Sequence, residues 1–255
     1  MFSATYFTYD GVFSGEYGLM MADFDAEPVV ETAAFSPVLN AMKPADNPRF
    51  LHGGIRYDAP PTHRFSIISE QEIPDVLRRE ILTWLVGRNE FKKLQVHQPD
   101  LEDYYYNCVF TDVDIVYINA RCHGFRVTAN FDSHYARSEA AVIVIPAGTT
   151  SYTVAVDADV IDGYIYPLVE FTGSHATIYN FSDGAREFTI GQNPGGAFFV
   201  DNESKIILKD GAVTRLDAVT FNKQWMRLKR GNNELAISCD GDLTITIPTY
   251  VMIGF

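Results

Sequence analysis

Short stretches in which apolar and polar residues alternate dominate this 255-residue chain, and turn residues separate them. Alternation with a period of two is the pattern of a β-strand that buries one face. It is clearest from His123 to Phe131, where every second residue from Phe125 onward is apolar. In the first half, strands are predicted at residues 6–9, 19–21, 29–32, 63–69, 94–96 and 104–116. The pair Asp10-Gly11 predicts a tight hairpin after the first strand.

One segment, at about residues 74–86, has the periodicity of an amphipathic α-helix. Its apolar residues recur every three or four positions and share one face, while charged residues take the opposite face. Ser69 and Glu72 fit a capping box before the helix, and Gly87 is suited to end it. The apolar face is predicted to pack on the sheet of this domain. Its members are Ile73, Leu77, Ile81, Trp84 and Leu85.

Between residues 36 and 61 the apolar density falls, and prolines at five positions interrupt the chain. Connections of this length are usually functional or disordered. Two interpretations stay open for this Pro-rich arm. It is either a mobile loop or an extension that embraces a neighbouring molecule and becomes ordered on assembly.

The second half predicts many short strands, with turn signals about every ten residues, which is typical of a β-sandwich or jelly roll. The polar stretch 133–139 lacks periodicity and marks a domain boundary, giving domains 1–136 and 137–255. The apolar end, residues 250–255, is predicted to be a paired strand or a docked plug. The fold class is therefore mainly β, with the helix in the first domain. Strands are predicted at 152–156, 165–171, 176–181, 187–190, 197–200, 205–208, 224–228, 234–239 and 243–247.

The formal net charge of −13 argues against nucleic-acid binding, because contact with a phosphate backbone requires clustered Lys and Arg. Cys108, Cys122 and Cys239 are far apart and are expected to be reduced. The first ten residues lack the pattern of a secretory signal, and the longest apolar run, 140–147, is too short to span a membrane. These features predict a soluble protein made in a cytoplasm, without membrane insertion.

Catalytic patterns do not emerge from the sequence. It has no Gly-x-Ser-x-Gly, no phosphate-binding Gly-rich loop followed by Lys, and no His-Glu-x-x-His. Asp157, Asp159 and Asp162 lack the spacing of a twelve-residue calcium loop. The chain is therefore predicted to be no enzyme and to need no cofactor or metal.

Trp225 is the leading candidate for a binding residue. Strand alternation would place Trp225, Arg227 and Lys229 on one face, with Met226 and Leu228 on the other. An aromatic ring among basic side chains can stack on a sugar or anchor a protein partner. The competing and favoured interpretation is structural, with Trp225 covering a sheet or a domain seam.

The order of motifs along the chain resembles that of siphophage distal tail proteins. In the first half it runs through an aromatic strand, Asp-Gly turn, Pro-rich arm, helix and tyrosine-rich strand. The later motifs are Tyr166-Pro167, Phe199-Val200-Asp201, Trp225-Met226-Arg227-Leu228 and Gly231-Asn232-Asn233. One departure is at residues 132–135, Asp-Ser-His-Tyr, where members often have a segment containing Cys and Pro.

The resemblance implies a virion protein of the tail tip, present in the host cytoplasm during assembly. Its N-terminal β-sandwich or barrel domain would form a homo-hexameric ring joining the tail tube protein to the tail hub or baseplate. Its C-terminal domain would be a galectin-like jelly roll that faces outward and holds receptor-binding or side-tail proteins. The alternative is a carbohydrate-binding protein that recognises host glycans through this second domain.

Overall fold

A computed structural model describes residues 6–22, 38–43, 49, 51–56, 60–99, 101–160, 163–191 and 195–252. Two compact units divide the chain, the first holding Met1–Ala136 and the second Arg137–Val251. The strands and helix of the first unit are β1 (Tyr6–Tyr9), β2 (Val12–Phe13), β3 (Leu19–Met21), β4 (Val38–Met42), β5 (Leu51–Arg56), β6 (Thr62–Ser69), α1 (Asp75–Val86), β7 (Lys92–His97), β8 (Tyr106–Ile118) and β9 (Arg121–Phe131).

Seven of the described strands form one antiparallel sheet in the order β2-β1-β7-β8-β9-β6-β3. The predicted hairpin after β1 is confirmed, because Tyr9 pairs with Val12 across Asp10 and Gly11, both of which have positive φ. Two central residues with positive φ give a turn whose twist matches that of the flanking strands. The predicted alternation in β9 is also confirmed, because Phe125, Val127, Ala129 and Phe131 are all buried.

The predicted helix is confirmed as α1, which buries Ile81, Trp84 and Leu85 in the core of the first unit, where the Trp84 ring packs against Phe7 and Tyr9 of β1. The predicted capping box is wrong. The helix begins after Pro74, and no side chain caps it. Instead, Ser69 Oγ accepts a hydrogen bond from the Gln71 amide, 3.2 Å away, and Glu72 forms an ion pair with Arg121.

Strands β4 and β5 lie within the predicted arm and, among the described strands, pair only with each other, forming a separate two-stranded sheet. Their register shifts between Leu39 and Ala41. The Asn40 side chain donates to the Gly53 carbonyl across this hairpin, at 3.5 Å. The strand predicted at residues 29–32 lies outside the described residues.

The second unit contains two antiparallel sheets in its described part, in the orders β10-β19-β12-β15-β16-β17 and β11-β18-β13-β14. Buried apolar side chains from both sheets supply its core. The mainly β prediction is therefore confirmed, and the galectin-like description stays a prediction. The strands are β10 (Ala136–Ile145), β11 (Ser151–Val156), β12 (Leu168–Thr172), β13 (Ala176–Asn180), β14 (Arg186–Ile190), β15 (Ala197–Asp201), β16 (Ile206–Lys209), β17 (Ala212–Val213), β18 (Gly231–Cys239) and β19 (Leu243–Val251).

Three strand assignments in this unit differ from the prediction. Strand β10 was not predicted, because its apolar run lacks alternation, and neither was the two-residue strand β17. The strand predicted at 224–228 is wrong, since this segment pairs only through the isolated bridge between Leu228 and Ile165. The apolar end is paired as far as Val251 in β19, and residues 253–255 lie outside the described part.

Candidate functional site

The segment that carries Trp225, Arg227 and Lys229 belongs to no strand. Met226 and Leu228 are buried, and the three candidate residues between and beside them are half-buried. The predicted alternation of faces therefore occurs, although the predicted strand does not. Backbone groups in such a segment need partners other than a neighbouring strand.

Three buried asparagines supply those partners. Asn202 accepts from the Met226 amide and donates to the Pro167 carbonyl, both at 2.7 Å. Asn180 donates to the Arg227 carbonyl at 3.0 Å, and Asn233 bonds both the amide and the carbonyl of Lys229. A carboxamide carries a donor and an acceptor, so it can replace a strand partner. Their positions, far apart along the sequence, gave no sign of this joint role.

Asp183 holds the basic side chains of the segment. Its carboxylate receives the Arg227 guanidinium through two contacts, at 2.6 and 3.2 Å, and the Lys229 ammonium lies 3.5 Å away. Only 4% of the Asp183 side chain is exposed. The Arg227 guanidinium also lies over the Tyr164 ring, with its Cζ 3.6 Å from the ring centroid.

Asp183 and its two cationic partners stabilise one another's charged forms. Burial acts to raise the pKa of Asp183, but the hydrogen bonds and charges of Arg227 and Lys229 outweigh it and lower the pKa below its ordinary value. The pKa of Arg227 is raised in turn by its hydrogen bond to Asp183. A ligand that recruited Arg227 would have to compete with a nearly buried carboxylate.

The Trp225 ring packs edge-on against Phe221, with ring centroids 4.9 Å apart, and its carbonyl accepts from Arg186 at 3.0 Å. These contacts give Trp225 a packing role. The use of Trp225, Arg227 and Lys229 as a sugar or partner contact stays a prediction.

The structure brings together the side chains of Ser238, His175 and Asp240, a grouping that the sequence pattern did not predict. His175 Nε2 lies 3.2 Å from Ser238 Oγ, but its Nδ1 is 3.7 Å from the Asp240 carboxylate, beyond hydrogen-bond distance. Asp240 instead accepts from the amide and hydroxyl of Ser174 and from the His175 amide. The Ser174 hydrogen bonds hold the pKa of Asp240 well below its ordinary value. This geometry joins the β12–β13 connection to the β18–β19 connection rather than orienting a catalytic histidine.

Exposed apolar side chains mark two surfaces of the first unit. Leu39 and Met42 of the arm are 58% and 68% exposed. Val76 at the start of α1, together with Tyr117 and Ile118 at the tip of the β8–β9 hairpin, is also exposed. Arg78 joins the helix to this tip through a 3.3 Å hydrogen bond to the Tyr117 hydroxyl. Exposed apolar side chains that lie together are candidates for binding surfaces.

Within the described residues, no group of three or more His, Cys, Asp or Glu side chains is arranged to hold a metal ion. No helix in the same part of the chain is long and apolar enough to cross a membrane.

Comparison with known proteins gives matches to both halves. Residues 2–133 match the family model described as the phage tail protein N-terminal domain, and residues 135–247 match the phage tail C-terminal domain. A search of curated proteins returns no significant match.

Among solved structures, the SPP1 Dit protein, described as a paradigm of the hub adsorption apparatus in phages infecting Gram-positive bacteria, superimposes with a TM-score of 0.69. The match has 13% identity and covers 97% of this chain and 99% of that one. The phage p2 baseplate, in its strontium-activated form, gives a TM-score of 0.55 at 10% identity, covering 98% of this chain and all of that one. The calcium-activated form gives 0.52 at 9% identity, covering 98% and 99%. At these identities the likeness establishes the fold.

Proposed function

The chain belongs to the phage tail protein family, whose N- and C-terminal domain models match residues 2–133 and 135–247, and we propose that it is a structural subunit of the tail tip. In this proposal, six copies form a ring that joins the tail tube to the hub or baseplate. The observation that carries it is the shared fold with the SPP1 Dit hub protein over 97% of the chain.

The first unit would form the ring. A ring requires a heterologous contact, in which two different surfaces of one subunit meet and the rotation closes. The arm, with exposed Leu39 and Met42, supplies one apolar surface, and the tip around Tyr117 and Ile118 supplies another. Burial of these side chains between neighbours would remove apolar area from water.

The second unit would dock further tail components, such as receptor-binding or side-tail proteins. The subunit would act by positioning other proteins, without turnover, within the virion after assembly in the host cytoplasm. The net charge of −13 supports a role without specific nucleic-acid binding, because it opposes contact with phosphates.

Electron microscopy and native mass spectrometry of the purified chain test the ring. Six-fold rings are expected for the unaltered protein, and Met42→Glu is expected to abolish them by placing a charge in an apolar contact. Val219→Glu is the matched control, because Val219 is equally exposed, at 68%, but lies in the second unit. A chain that stays monomeric at high concentration, even with tail-tube and hub proteins present, would contradict the proposal.

A further inference from the structure

The outward side of the six-stranded sheet of the second unit carries apolar side chains on several of its strands, next to the polar Thr244 and Glu170 of β19 and β12. Antiparallel sheets with one face in water normally alternate apolar and polar residues. Here three strands instead contain consecutive apolar residues: 140–145 in β10, 197–200 in β15 and 206–208 in β16. One set of these side chains forms the core, including Val200 and Ile207. The other set must point away from it.

The strand register defines this second surface, which we call the outer sheet face. Across neighbouring strands, Thr244, Glu170, Phe199, Leu208 and Val213 are successive partners and form one row. Val213 is 74% exposed, and Ile206, on the same side of β16 as Leu208, is 42% exposed. On the edge strand β10, Val142 and Val144 are 62% and 60% exposed. Apolar groups collected on one side of a sheet indicate a surface that another protein covers.

Glu170 is the one charged residue of that row. Its side chain has no hydrogen bond or ion pair with any residue in the described part of the chain. The neighbouring aspartates differ in this respect. Asp201 accepts from the amides of Glu203 and Ser204, and Asp242 accepts from the Ala147 amide. Glu170 therefore lies between Phe199 and Thr244, beside the apolar part of the face, as an acceptor without a donor in the described part of the chain.

We infer that the outer sheet face binds an apolar segment of another tail protein that carries a Lys or Arg opposite Glu170. This inference rests on the proposed function and assigns its docking role to one surface. Burying Glu170 against apolar groups alone would be costly, whereas a cationic partner offsets that cost and fixes the register. A second copy of this chain fits less well, because a two-fold contact repeats the same residues and sets Glu170 and the flanking aspartates against their equivalents.

Photochemical carbene labelling tests the inference by comparing the purified chain with the intact phage particle. Labelling of Ile206 and Val213 is expected to fall at least several-fold in the particle and to remain high in purified rings. A benzophenone amino acid at position 213 should crosslink, in the particle, to an apolar segment of a different protein with a basic residue nearby. Protection already present in rings of the pure chain would assign the face to a second copy and overturn the inference.

Charge reversal supplies an independent test in a phage that depends on the variant subunit. Glu170→Lys is expected to lower the amount of the crosslinked protein in particles by more than about tenfold, since removing one partner of a buried charge pair mainly increases dissociation. Glu170→Gln should lower it less. Glu234→Lys, on the outward side of β18 in the other sheet, is the control and should leave the amount unchanged.

Different experimental results would contradict the proposed function and the outer-face inference. Full labelling of Val213 in a particle that contains the chain would overturn the outer-face inference and leave the ring intact. Absence of the chain from the particle would overturn the proposed function, and the inference with it.

Discussion

The indole Nε1 of Trp84 donates a hydrogen bond to the carbonyl oxygen of Tyr9, 3.0 Å away, and so ties the helix to the first strand of the sheet. The Trp84 ring also stacks on Phe7, with the ring planes 5° apart, and is only 4% exposed. One side chain thus contributes packing and satisfies a buried carbonyl at the same point.

Trp84→Ala is expected to destabilise the first unit by about 3–5 kcal/mol, because it leaves a cavity and removes this hydrogen bond. Trp84→Phe keeps most of the packing and should cost about 0.5–1.5 kcal/mol, chiefly from the lost hydrogen bond. Urea unfolding followed by circular dichroism measures both. Trp225, the only other tryptophan, reports on the second unit by fluorescence, and an equal shift of that transition would contradict a local role.

Gly11→Ala is expected to cost about 1–2 kcal/mol, because Gly11 has a φ of 79°, a region unfavourable for residues with a Cβ atom. An added Cβ would have no atom within 4 Å, so steric crowding cannot contribute. Gly11→Asn provides the comparison, since Asn adopts this conformation more readily and should lose less. Equal losses for Ala and Asn in urea unfolding would argue against the backbone explanation.

The helix, the first hairpin and β9 could be predicted because each is specified by residues close together in the sequence. Asp10-Gly11 needs only its own backbone conformation, and the spacing of Ile81, Trp84 and Leu85 defines a face directly.

Strand β10 lacks alternation because apolar Val142 and Val144 occupy its outward side. The segment around Met226 shows alternation without strand pairing, since buried Asn180, Asn202 and Asn233 bond its backbone. The partnership of Asp183 with Arg227 joins residues 44 apart, and no local signal specifies it.

Asp183→Asn is expected to destabilise the second unit by about 1–3 kcal/mol, because Arg227 and Lys229 lose their charged acceptor. Urea unfolding in a Trp84→Phe background, in which Trp225 is the only tryptophan, measures the change by fluorescence. Asp157→Asn, at an exposed aspartate, is the control and should shift the transition little.

The same carboxylate gives the second unit an acid-dependent stability. The pKa of Asp183 is lower in the folded than in the unfolded state, so the unfolded chain binds the proton more readily. The stabilisation is therefore present above the ordinary carboxyl pKa of about 3.9 and is lost as pH falls through the folded-state value. Below about pH 4, the stability difference between the unaltered protein and Asp183→Asn should shrink. A difference that stays constant down to the acid limit would contradict this assignment.

Trp225→Ala is expected to lower the stability of the second unit by about 1–3 kcal/mol through lost contact with Phe221. Calorimetric unfolding and a glycan array, applied to the same variant, separate packing from recognition. Loss of glycan binding without loss of stability would instead support the carbohydrate-binding alternative. Lys223→Ala is the nearby control, because this exposed residue precedes the buried part of the segment.

The exposed outer sheet face also affects the solubility of the purified subunit. Identical copies carrying thirteen excess negative charges repel one another, and this opposes sticking through Val142, Val144 and Val213. Dissolved salt shortens the reach of the repulsion, to about 8 Å at physiological ionic strength and about 3 Å at 1 M. Concentrated stocks should stay clear in dilute buffer and turn turbid on salting.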